Sequence, residues 1–237
     1  MQIKNFMLSF KPHIAPVPAA EKIRSALAAG IAILLLGLTG KFLPQLNHPL
    51  LMLASMGAAT FLLFVAPHSP MAQPWPLLGG NLVSAVAGWG CSQFIPDPVL
   101  AAGCAVSLAV YLMHYLRCLH PPGAATALIM VLSSAQFHAM GWQWAGYIVA
   151  ANTGILLVLA LLFNNIMGRR YPLPQAYPHH PVPQTTPPVA GLELADIEWA
   201  ICQMDGVIDV SEEDLAEIYE LAIQHALDRD TSHAQVR

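Results

Sequence analysis

Acidic side chains are almost missing from the first 189 residues, where Glu21 and Asp97 stand against eight Lys and Arg. Pathways that pass cations through a membrane are usually lined by carboxylates, so this poverty argues against a cation and leaves an anion or a neutral solute. The chain also lacks the signatures of catalysis: it has no phosphate-binding P-loop, no GxSxG elbow and no GxGxxG fingerprint. With neither paired acids nor an activated nucleophile, no enzyme and no cofactor are expected. No two histidines show HExxH or HxxxH spacing and the four cysteines form no CxxC, so no metal site is expected and the thiols read as small buried hydrophobes. Nothing points to a nucleic-acid partner.

Charge of either sign is scarce. Only 10% of residues are charged and 56% are hydrophobic, against about a quarter charged in ordinary soluble domains. The acids that exist are concentrated at the end: residues 190–237 hold twelve of them, with Arg229 and Arg237 as the only bases. The chain therefore divides into a basic lead (1–22), an apolar body (23–168), a Pro-rich linker containing His179-His180 (169–190) and an acidic tail (191–237). The tail fits two short amphipathic helices. It is too small to bury a core alone and reads as a docking piece, against a second subunit or the body.

The body is predicted to be all-α and membrane-embedded. Apolar runs over about 23–40, 50–66, 77–94, 99–118, 123–139 and 143–167 give six transmembrane helices, broken by prolines at 67–76, 96–98 and 121–122. The second and fifth are short for a crossing of about 20 residues, and either could be broken or re-entrant. With the N-terminus inside, the inner segments hold Lys4, Lys11, Lys22, Arg24, Arg117, Arg169 and Arg170, and the outer ones Lys41. Both termini are then cytoplasmic.

The body also repeats itself. Gly57-Ala-Ala-Thr60 recurs 66 residues on as Gly123-Ala-Ala-Thr126, and Gly80, Val83, Ala85 and Gly88 recur as Gly146, Val149, Ala151 and Gly154. His48-Pro49 and His120-Pro121 precede the two copies at different spacings. Three helices per half (23–95 and 96–168) make the repeat an inverted one, a construction common among transporters.

The densest candidate site is Arg117 with His120, Pro121, Pro122, Gly123, Ala124 and Thr126. A helix that starts at Pro121, followed by small residues, offers backbone N–H groups and a positive dipole end to an anion. Ser55, Gly57, Ala58 and Thr60 would face it from the other copy in a shared pocket. Substitutions Gly57→Leu and Gly123→Leu are then both expected to block passage. Small-residue runs also serve close helix packing. Arg117 reads as an orientation-setting residue at a helix end or as an anion attractor, and His120 as a donor or proton shuttle or as a cap for neighbouring backbone. Ser69, Gln73 and Asn81 could line a vestibule or simply cap and solvate the loop.

The run Leu119-His-Pro-Pro-Gly-Ala-Ala-Thr-Ala-Leu128 resembles the signature of the HPP family of integral membrane proteins. Gly57-Ala-Ala-Thr-Phe-Leu-Leu-Phe64 and Pro67-x-Ser-Pro-x-Ala-Gln-Pro74 are similar to other blocks of that family, and the likeness covers about residues 20–170. It implies a transporter or channel for a small monovalent anion, nitrite first, in a bacterial inner membrane. The tail resembles the connector that leads to paired CBS modules in longer relatives, and the chain given stops short of them. A homodimer with the tail as a contact is expected. From another class, the chain would be a membrane anchor or sensor whose acidic tail docks a soluble partner.

Overall fold

The computed structural model describes residues 18–41 and 53–173. The N-terminal lead, His48-Pro49, His179-His180 and the acidic tail lie outside the described residues. Seven helices follow one another: α1 (Ala19–Lys41), α2 (Leu53–Val65), α3 (Pro74–Phe94), α4 (Pro98–Tyr115), α5 (Pro121–Leu132), α6 (Ser134–Met140) and α7 (Trp142–Ile166). A short 3₁₀ turn, Pro70–Ala72, sits between α2 and α3. No strand occurs among the described residues.

Proline starts the helices where the sequence places it. Pro74, Pro98 and Pro121 occupy first-turn positions, whose missing N–H costs nothing there. Asp97 caps α4 by accepting the Leu100 N–H at 2.8 Å. At the other end of α4, Arg117 takes a left-handed φ of 53°, and the Cys118 N–H closes on the Met113 carbonyl at 2.9 Å. α7 ends in the same way: Gly168 (φ 80°) lets the Arg169 N–H reach the Asn164 carbonyl at 2.9 Å.

Three helices are long and apolar enough to cross a membrane: α1, α4 and α7. A fourth crossing is available if α5 and α6, bent by 69° at Ser133, form one broken span. Six full crossings, the expectation from the apolar runs, exceed what these helices provide. At 13 residues, α2 reaches about 20 Å of the roughly 30 Å of hydrocarbon. α3 is long enough but carries Asn81, Ser84 and Gln93. Large apolar side chains are exposed around the outside, among them Ile23, Leu34, Phe94, Val99, Leu132 and Ile166. A belt of this size would be a liability in water and suits lipid.

Inside, α1, α2 and α7 share one core (Ala28, Ala32, Leu36, Met56, Leu63, Phe64, Leu156, Ala160). α3, α4 and α5 share another, in which Ala101, Ala105, Ala109 and Met113 of α4 recur every four residues and let the backbones come close. α3 packs on α4, α5 and α7, and α2 on α1, α5 and α7.

Hydrogen bonds join five helix ends near one face. Arg169, just beyond α7, donates to the Phe64 carbonyl at the end of α2 (2.7 Å) and to Ser25 at the start of α1 (3.2 Å). It also pairs with Glu21. Asn164 donates to the Leu63 carbonyl at 3.1 Å. The Trp75 indole N–H, at the start of α3, donates to the Leu116 carbonyl at the end of α4 (3.1 Å). The helices therefore alternate in direction. Lys22, Arg24, Arg117, Arg169 and Arg170 lie at this face, whereas Lys41 ends α1 at the opposite one.

Similar bonds hold the first residues of the expected linker. Residues 169–173 pack on the bundle: Arg169 and Tyr171 are buried, and the Tyr171 hydroxyl donates to the Ala72 carbonyl at 2.8 Å.

Candidate functional site

His120 is the residue around which the site is built. Its preceding position at the N-terminus of α5 is fixed by the α4 turn, and Pro121 and Pro122 then force the helix to begin. The side chain is fully buried. Its Nδ1 lies 3.0 Å from the Met71 carbonyl in the buried turn between α2 and α3. Its Nε2 is buried and has no hydrogen-bond partner. A buried imidazole nitrogen without a partner is uncommon and calls for an explanation.

The ring has space because α3 presents glycine to it. A methyl group on Gly80 would come 2.6 Å from the His120 Cβ and 2.8 Å from the Cys118 carbonyl. One turn on, Gly123 lies so close to α3 that a methyl there would stand 2.8 Å from the Ser84 hydroxyl and 3.0 Å from the Gly80 carbonyl. Two turns further, Gly88 meets the Ala127 carbonyl. Gly80, Ser84 and Gly88, spaced by four, form a groove along α3 into which α5 fits.

Polar contacts fill the same seam. The Thr126 hydroxyl donates to Asn81 Oδ1 at 2.7 Å, and Asn81 Nδ2 donates to the Leu77 carbonyl at 2.8 Å. The Ser84 hydroxyl points at the Met113 sulfur, 3.9 Å away. Thr126→Val is expected to lower stability by about 1 kcal/mol, the usual scale for an interhelical hydrogen bond in a membrane protein. Unfolding in bicelles measures it. Asn81→Leu added to Thr126→Val should then cost less than the sum of the two single changes.

The structure thus brings His120, Pro122, Gly123, Thr126 and Asn81 together, with Ala124 half-buried beside them and Pro121 exposed at the helix start. Arg117 is exposed at the end of α4. The free N–H groups expected at the start of α5 are fewer than the sequence suggested. Pro121 and Pro122 have none, and the Gly123 N–H is bonded to the His120 carbonyl at 2.8 Å.

The first GAAT copy lies in α2, which packs on α5. Thr60 there bonds within its own helix, to the Gly57 carbonyl at 2.7 Å. Ser55 is buried, and Ala58 is exposed. A methyl on Gly57 would meet nothing within 4 Å. The two copies therefore differ in packing.

Ser69 and Gln73 hold the turn that carries Met71. The Ser69 hydroxyl accepts the Met71 N–H at 3.2 Å. Gln73 donates to the carbonyls of Pro67 and Ser69, both at 3.0 Å, and accepts the Leu173 N–H at 2.9 Å. Sequence reasoning missed Met71, because its contribution is a backbone carbonyl, and missed Met113 and Ser84. The four-residue spacing Gly80-x₃-Ser84-x₃-Gly88 was the available signal. A shallow apolar groove of about 400 Å³ over Ala151, Gly154, Ile155, Val158 and Leu159 of α7 holds no polar side chain and belongs to a different surface. Among the described residues no cluster of His, Cys, Asp or Glu could hold a metal ion.

An all-helical bundle with apolar helices of crossing length, an apolar outer belt and a buried polar seam defines an integral membrane protein. Residues 14–172 match the transmembrane region of the HPP family, and the chain belongs to that family. Two transmembrane proteins of Dictyostelium discoideum are similar to it. One is 36% identical over 159 residues, covering 63% of this chain and 49% of the relative. The other is 32% identical over 182 residues, covering 72% and 61%. The chain thus spans about half to three-fifths of the length of these curated relatives. No solved structure matches it.

Proposed function

We propose that this chain carries a small anion across a membrane, nitrite first, with His120 as the substrate-contacting residue and the α3–α5 seam as its wall. The observation that carries the reading is the buried, unpartnered Nε2 of His120 beside a glycine-lined groove in a membrane domain. A purely structural histidine would be expected to use both ring nitrogens or to face water.

The six helical segments are read as two inverted halves, α1–α3 and α4–α7. Their packing supports this. Exchanging α1 with α4, α2 with α5 and α3 with α7 turns each contacting pair among these six into a contacting pair, with α2·α5 and α3·α7 mapping onto themselves. Thus α3·α5 becomes α7·α2, α3·α4 becomes α7·α1, and α4·α5 becomes α1·α2. The kinked α6 has no counterpart. The face that gathers Lys22, Arg24, Arg117, Arg169 and Arg170 is read as cytoplasmic. A second copy of the chain is the proposed partner, and no reaction is catalysed.

The test is uptake into proteoliposomes holding the purified full chain. Saturable nitrite flux above empty liposomes is expected, falling roughly tenfold in His120→Ala, the loss of about one hydrogen bond to substrate. Unchanged flux in a folded His120→Ala protein removes His120 from the pathway. Removal of residues 190–237 is expected to leave flux intact. Lost binding of a soluble protein with no flux in either form would favour the anchor reading.

A further inference from the structure

The hydrogen-bond directions around His120 restrict what form of a substrate it can hold, an inference that rests on the transport reading above. A backbone carbonyl only accepts, so the Nδ1 facing the Met71 carbonyl carries the proton. In the neutral ring the other nitrogen, Nε2, then has a lone pair and no proton. That buried atom is an acceptor waiting for a donor. A bare anion has only acceptors to offer it.

The hydroxyl and backbone donors nearby are committed elsewhere. The Thr126 hydroxyl serves Asn81, Asn81 gives one of its two amide hydrogens to the Leu77 carbonyl, the Ser84 hydroxyl faces the Met113 sulfur, and the Gly123 N–H serves the His120 carbonyl. Pro121 and Pro122 contribute no N–H. Among the described residues, α2 and α5 carry no titratable side chain, and α3 carries Cys91 alone. The turn before His120 adds the buried thiol of Cys118, and the 66–73 connection adds His68 and, on its Ala72 carbonyl, the buried Tyr171 hydroxyl. α4 contributes Cys104, Tyr111, His114 and Tyr115, with Arg117 exposed just beyond its end.

We infer that the species seated on His120 is a small hydrogen-bond donor, the protonated and uncharged form of a weak acid, so that anion and proton travel together. The contact is X–H···Nε2. If the proton shifts, the X–H bond breaks, an Nε2–H bond forms, and an imidazolium–anion pair results with the same atoms and no net charge. The reverse transfer releases the acid on the far side. Nitrite would enter as nitrous acid, and formate or acetate as their acids. Anions of strong acids would be refused, because they bring no proton at working pH.

The experiment offers proteoliposomes of the full chain two sets of solutes: nitrite, formate and acetate, and nitrate and chloride. Flux above empty liposomes is read at about pH 6 and about pH 8, values that bracket the ordinary histidine range, with the membrane potential clamped at zero and then imposed. Weak-acid flux is expected to be saturable, faster at the lower pH and indifferent to the potential, with nitrate and chloride at the empty-liposome rate. His120→Asn, whose amide can still donate to the Met71 carbonyl but has no Nε2 lone pair, is expected to abolish the protein-dependent part. Nitrate or chloride moving as fast as nitrite, without dependence on pH, would overturn the donor inference and leave anion transport standing. No solute moving above empty liposomes would overturn the transport reading, and this inference with it.

Discussion

Arg169→Met is expected to destabilise the bundle by about 3–5 kcal/mol, the scale for removing one partner of a buried ion pair. Arg169 is 6% exposed and joins three helices at once. It pairs with Glu21, donates to Ser25 and donates to the Phe64 carbonyl. That carbonyl belongs to the last turn of α2, whose final C=O groups have no partner within the helix and form the negative end of its dipole. A guanidinium supplies a fork of donors and a positive charge there, which a lysine cannot reproduce in the same geometry. Methionine would leave the Glu21 carboxylate to the Ser25 hydroxyl, which donates to it at 3.1 Å. Glu21→Gln on the Arg169→Met background is expected to recover part of the loss, because the stranded charge is then gone. Thermal unfolding in detergent gives the comparison. An Arg169→Met protein that melts with the wild type would mean that the cluster is open to water and contributes little.

Arg169 also illustrates where sequence reading stops. Arg169 and Arg170 are adjacent cations after an apolar span, and the positive-inside argument treats them alike. The structure buries the first and exposes the second. The difference comes from Gly168, whose left-handed φ turns the chain back so that residue 169 points into the bundle. The helix limits were legible because proline marks them: Pro74, Pro98 and Pro121 each open a helix within a few residues of the expected start. The shortness of α2 and the break within the fifth apolar run were legible for the same reason of length. His120 was legible as a candidate because it precedes a proline pair and small residues. Its unpartnered Nε2 was not legible. It depends on the Met71 carbonyl, 49 residues away in sequence, taking the other nitrogen. The repeat was legible as letters, although letters do not report which glycine meets backbone and which meets open space.

Gly88→Ala should have a large effect in the opposite direction to helix propensity. On an exposed helix, Gly→Ala stabilises by about 1 kcal/mol. Here the added methyl would stand 2.4 Å from the Ala127 carbonyl oxygen and 2.7 Å from the Met130 Cβ. The first of these is backbone, so no rotamer change relieves it, and α3 and α5 must separate along the seam. Overpacking of this kind costs about 1–3 kcal/mol, enough to outweigh the propensity gain. Gly123→Ala is expected to follow it, held between the Ser84 hydroxyl and the Gly80 carbonyl. Gly57→Ala meets nothing within 4 Å and is expected to be neutral or slightly stabilising. Gly154, the repeat counterpart of Gly88, is equally open and should tolerate alanine. Melting of the four variants side by side separates two accounts of the repeat. If the copies were equivalent in packing, Gly57 and Gly123 would respond together, as would Gly88 and Gly154. The seam predicts that only Gly88 and Gly123 lose stability, because α5 lies in the α3 groove over His120 while the matching glycines of α2 and α7 face no neighbour. Four equal melting temperatures would dissolve the groove, and with it the closed wall that the His120 site requires.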